Sequence, residues 1–136
     1  IMMCHLVFLF KSMKRYRYAG EVTRTAVNEI IRLNGSGILY VSNLPEECHG
    51  ALIFRSGFSE AVRWRGSVGV ADSVKVLSVQ ANDQRLIRGY RSIHIDSSIV
   101  AELMKDDKMF LSGFRFDRDM CFIFRDSSLL VFKGGQ

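Results

Sequence analysis

"IMMCHLVFLFKSMKRYRYAG", Ile1–Gly20, is the stretch on which the fold turns. A nearly unbroken apolar run is followed by Lys11, Lys14, Arg15 and Arg17, with Tyr16 and Tyr18 among them. A continuous apolar run suits a strand buried on both faces, so "HLVFLF" is expected as a core strand or an intersubunit strand. Its cations come after the apolar part, the reverse of a secretory signal, and the run falls short of the roughly 20 residues of a membrane span. Met13 followed by "KRYRYAG" also reads as a start, which would make 1–12 an extension.

Outward from this stretch the pattern changes. Val22, Ala26, Val27, Ile30, Ile31 and Leu33 recur at helical spacing, with Arg24, Thr25, Glu29 and Arg32 on the opposite face. "NGSG" at 34–37 is a stop signal, so a helix is expected over 20–33. "GILYVS" (37–42), "GALIFRS" (50–56), "FSEAVRWR" (58–65), "SVKVLSVQ" (73–80) and "LIRGYRSIHI" (86–95) read as short strands. A second helix is expected at 97–106, capped by Asp96 or Ser97 and stopping at Asp106 and Asp107, acids unfavourable at a helix C-terminus. "MFLSGFRF" (109–116), "MCFIFRD" (120–126) and "SLLVFKG" (128–134) read as three closing strands. Short turns between most neighbours predict one α+β domain over 1–136: a mainly antiparallel sheet or part-barrel with two helices packed on one side.

At 136 residues, 48% hydrophobic and 24% charged, the chain can bury a core without disulfides or metal. Three cysteines do not close a disulfide framework, and a reducing, cytoplasmic setting is the simplest fit. The formal charge of +5 is uneven: residues 1–20 and 55–91 each carry +4.

Catalytic motifs are sparse. The Cys4–His5 and Cys48–His49 dipeptides place adjacent ligands on opposite sides of an extended backbone, so no metal is expected. His94 and Asp96 share a strand face at i and i+2 and could orient an imidazole, the basis of a small-enzyme reading. Neither phosphate-binding glycine motif is present, and no cofactor is expected.

Arginine interleaved with aromatics is the recurring pattern: "KRYRY" (14–18), "RWR" (63–65), "RLIRGYR" (85–91) and "FRFDR" (114–118). On strands, Tyr16 and Tyr18 would share one face, with Arg15 and Arg17 opposite them. Arg63 and Arg65 would likewise oppose Trp64. Rings for stacking beside cations for phosphates are what a single-stranded nucleic-acid surface needs. Lys14, Arg15, Tyr16, Arg17, Tyr18, Arg63, Trp64, Arg65, Arg88 and Arg91 are therefore the candidate site of a non-enzymatic domain that binds nucleic acid or another polyanion. A protein–protein adaptor or homo-oligomer subunit, pairing through strand edges, is the alternative.

Residues 26–65, with a helix followed by "GSGILYVS", "GALIFRSG" and "SEAVRW", are similar to the helix-then-hairpin half of PATAN-type interaction domains of bacterial signalling proteins. Ser59 and Glu60 stand where those domains carry an apolar pair. The resemblance implies a protein-binding role.

Overall fold

The computed structural model describes residues 2–33, 37–54, 57–66, 74–80, 90–125 and 128–135. Helix α1 runs from Met2 to Arg32 as one unbroken element. The strands and helices that follow are β1 (Leu39–Ser42), β2 (Leu44–Pro45), β3 (Glu47–Cys48), β4 (Ala51–Leu52) and α2 (Phe58–Arg65). Next come β5 (Val74–Val76), β6 (Val79–Gln80), β7 (Arg91–His94), α3 (Ser97–Leu103), α4 (Lys108–Gly113), β8 (Met120–Arg125) and β9 (Ser128–Lys133).

Five strands form the main sheet in the order β5-β1-β8-β9-β7. Strand β1 pairs parallel with both β5 and β8, and β7 pairs parallel with β9. The β8–β9 hairpin is antiparallel, with Phe122 opposite Val131. Two small pairs, β2 parallel to β6 and β3 antiparallel to β4, lie outside it. The main sheet is thus mixed and mostly parallel, which corrects the expectation of a mainly antiparallel one. The connections supply the reason: α2 lies between β1 and its parallel neighbour β5 in sequence, and α3, α4 and β8 lie between β7 and its parallel neighbour β9, the long connections that parallel neighbours require.

Both sheet faces are covered. Leu39, Val41, Met120, Phe122, Phe124, Leu129 and Val131 pack with Val22, Ala26, Val27 and Ile30 of α1 and with Phe58 and Val62 of α2. The alternate residues Tyr40, Cys121, Ile123, Leu130 and Phe132 pack with Val100 and Met104 on the other side, and with Phe110 of α4. Helices therefore lie on both faces, not on one. The continuous apolar runs of β8 and β9 follow from this, because successive side chains alternate between two buried layers.

Three expected strands are helices. "HLVFLF" belongs to α1 and is exposed, so it supplies neither a core strand nor an intersubunit strand. "FSEAVRWR" is α2, entered through Gly57 at φ 81° and turning Phe58 and Val62 inward at i and i+4. "MFLSGFRF" begins as α4, whose first turn is capped by Asp107 accepting from the Phe110 amide at 2.9 Å. The helix expected at 97–106 ends earlier, at Leu103, and Asp96 caps it by accepting from the Ser98 and Ile99 amides, both at 3.0 Å. Strands at 39–42, 120–125 and 128–133 match their expected positions. The runs at 50–56, 73–80 and 86–95 yield only the shorter β4, β5 with β6, and β7. Residues 55–56, 73 and 86–89 lie outside the described residues.

One buried carboxylate ties the layers together. Asp119 accepts from the Ile38 amide at 3.0 Å and from the Arg115 amide at 2.9 Å, so its burial leaves no stranded charge. Gly37 is required beside it, since a Cβ there would overlap the carbonyl of Arg118.

Candidate functional site: the outer face of α1 and α2

Helices α1 and α2 pack against each other on one face of the sheet and carry eight lysines and arginines against three glutamates. That excess of five equals the whole formal charge; the remaining residues hold eleven of each sign. The first charge block and two of the arginine–aromatic segments, distant in sequence, thus meet on one pair of helices; of the second block, Arg63 and Arg65 are on α2.

Between the helices and the β3–β4 hairpin lies an open groove of about 560 Å³. Tyr16 and Arg24 line it from α1, Trp64 and Arg65 from α2, and Leu52 and Ile53 from the hairpin. Trp64 is 90% exposed and Tyr16 66% exposed. Arg65 donates to Asn28 Oδ1 at 2.7 Å, which holds its guanidinium along α1. Gly20 also lines the groove, and nothing lies within 4 Å of a Cβ built there. A glycine inside a helix costs roughly 1 kcal/mol relative to alanine. No neighbour demands this one, and its effect is to leave the groove open.

The helical setting rearranges the candidate residues. Tyr16 faces the groove, but Tyr18 turns to the hairpin and meets the His49 ring edge-on at 5.0 Å. The shared tyrosine face expected from a strand does not form, because two residues along a helix are about 200° apart. Trp64 and Arg65 likewise line one groove instead of opposing each other. Lys14, Arg15 and Arg63 are exposed on the same two helices. Arg17 is exposed and pairs with Glu21 one turn on at 3.4 Å. Arg91 is on β7, the edge strand at the far side of the sheet from β5, apart from this group. Arg88 lies outside the described residues. Gly20 and Arg24 were not singled out from sequence; their signal is the four- and eight-residue spacing from Tyr16, visible only once 14–24 is read as helix.

The other chemistry-bearing groups are occupied structurally. The Asp96 carboxyl caps α3, and hydrogen bonds from the Ser98 side chain and the Ile99 amide hold its pKa below the ordinary value. It is thus committed to the helix start instead of orienting His94, which is exposed. Cys48 is buried in the core, while His49 adopts φ 54° in the turn beyond it. Burial, with Asp107 nearby, pushes the Cys121 thiol up to about 12. Among the described residues no three His, Cys, Asp or Glu side chains gather as a metal site. A smaller cleft of about 400 Å³ at the carboxyl ends of β1 and β8 is lined by Ser42, Asn43, Asp106, Asp107 and Arg125. Its opposed charges give it no net preference for an anion.

No family model, curated protein or solved structure matches the chain. Fold and surface define it as a domain of helices on both faces of a mixed sheet, with a basic, ring-bearing pair of helices on one side.

Proposed function

We propose that the chain is a non-enzymatic binding domain for single-stranded nucleic acid, held on the outer face of α1 and α2. The observation that carries this is the Tyr16–Trp64 groove, flanked by Arg24 and Arg65, on the pair of helices that carries a net charge of five. A tryptophan 90% exposed contributes little to the core. Large exposed rings beside arginines are suited to stack bases while the cations neutralise the backbone.

The roles divide as follows. Trp64 and Tyr16 offer ring faces to bases. Arg24 and Arg65 flank the groove, and Arg65 is pre-oriented by Asn28. Lys14, Arg15 and Arg63 extend the electrostatic footprint along both helices, and Arg17 adds to it while shared with Glu21. Tyr18, Arg91 and the β7 edge take no part. Sequence is not read by this surface; stacking and charge are tolerant of base identity.

Trp64 is the sole tryptophan, so its emission reports the groove directly. Titration with a short single-stranded oligonucleotide at about 150 mM salt should quench it and raise the anisotropy of a labelled strand. A protein adaptor predicts neither response, and instead loss of a protein partner when Trp64 is changed.

A further inference from the structure

The sheet face turned away from α1 and α2 carries a second concavity. Strands β1 and β8 are adjacent and parallel, and a cleft of about 400 Å³ opens at their carboxyl ends. Sheets with helices on both faces commonly bind ligands at that end. Ser42 stands opposite Ile123 in the register, and Ile123 and Arg125 follow Cys121 at two-residue steps to the α3–α4 side. The end of α3 and the turn into α4 supply the facing wall through Met104 and Asp106.

The two walls carry opposite charge. Arg125 lines the cleft from the sheet and Asp106 from the turn, and neither side chain pairs with the other or with any described residue. A free cation would meet Arg125 there, and a free anion would meet Asp106 and Asp107. A molecule carrying both charges meets neither repulsion. The walls are also held from behind. The Asp107 amide donates to the Met104 carbonyl at 3.0 Å, and its carboxylate caps α4, which fixes the turn bearing Asp106. The Asn43 amide donates to Ser78 Oγ at 2.8 Å, and Asn43 Oδ1 accepts from that hydroxyl at 3.1 Å. This leaves the side-chain N–H groups of Asn43 for a ligand. The apolar part of the lining is Leu103, Met104 and Ile123. An apolar lining with a few polar groups is the make-up of a small-molecule site, and the volume is within the range of such sites.

We propose that this cleft binds a zwitterionic α-amino acid with an apolar side chain. Arg125 and the Asn43 side chain take the carboxylate, Asp106 takes the ammonium, and Leu103, Met104 and Ile123 receive the side chain. The inference stands apart from the nucleic-acid reading, because α1 and α2 cover the opposite face of the sheet.

The test is calorimetric titration of the full chain with L-leucine and three analogues. Leucinamide lacks the carboxylate, N-acetyl-leucine lacks the ammonium, and glycine lacks the side chain. Leucine is expected to bind with a Kd of about 1 mM or tighter, and each analogue about 10- to 100-fold more weakly. Arg125→Gln should bind leucine and leucinamide alike, and Asp106→Asn should bind leucine and N-acetyl-leucine alike. Both side chains are exposed, so both variants should melt like the wild type and keep oligonucleotide binding. The proposal fails if leucine gives no heat at millimolar concentration, if any analogue binds the wild type as well as leucine does, or if either variant keeps its full discrimination.

Discussion

Replacing Trp64 with alanine separates stacking from charge. The side chain is 90% exposed, so its truncation removes little buried surface and should change stability by no more than about 0.5 kcal/mol. Base–aromatic stacking on such a ring contributes about 1–3 kcal/mol, equivalent to roughly 5- to 150-fold in Kd. No charge is lost, so the slope of log K against log salt should not move. The companion variant Arg63→Ala with Arg65→Ala should behave in the opposite way, with a slope shallower by about 0.7 for each phosphate contact removed. Anisotropy of a labelled single strand across a salt series measures both quantities, and a thermal melt of each variant checks the fold. The reasoning is refuted if Trp64→Ala binds like the wild type. It is equally refuted if that variant melts far lower, since Trp64 would then be structural.

Four further outcomes follow from the geometry. Gly20→Ala should stabilise α1 by roughly 0.5–1 kcal/mol in a denaturant titration, because the added methyl meets no neighbour. Gly20→Leu should fold equally well but block the groove, lowering oligonucleotide affinity with every cation still in place. Gly37→Ala should destabilise by at least about 1–3 kcal/mol, since its Cβ would collide with the Arg118 backbone; a melt matching the wild type would rule out that close approach. Cys121 makes stability fall in alkali: its thiol is held neutral to about 12 in the fold, but ionises from 9.0, the ordinary value, once unfolded. Stability is retained below about 9 and declines as pH rises toward about 12, because the unfolded chain then binds fewer protons. Cys121→Ala should flatten that decline in urea titrations run across the alkaline range, and an unchanged slope would remove the thiol as its cause.

The strands of the sheet centre were legible because "LYVS", "MCFIF" and "SLLVF" combine β-branched and aromatic residues in short bounded runs. The helix over 20–33 was legible from its 3.6-residue spacing. What failed has a common cause: short apolar segments do not reveal their period. "HLVFLF" is apolar at every position, so it shows neither alternation nor a stripe. As the exposed end of a helix it has no core face to impose one. "FSEAVRWR" alternates well enough to pass for a strand, yet Phe58, Ala61 and Val62 satisfy i, i+3 and i+4, and Gly57 opens the turn. Misreading α2 and α4 as strands removed the crossovers, and with them the parallel pairing. Of the candidate site, the arginines and rings were visible as residue types. Their assembly was not, because Tyr16 and Trp64 line one groove only through the packing of two helices. Arg91 was included from the interleaved pattern "RLIRGYR", and its place on the far edge strand comes from the pairing of β7 with β9.

The most direct test of the account is the emission of Trp64 during titration of the unmodified chain with a single-stranded oligonucleotide, repeated across a salt series. The account predicts saturable quenching at about 150 mM salt, with an affinity that falls as salt rises. A folded chain whose Trp64 emission stays unchanged at every salt concentration would contradict it.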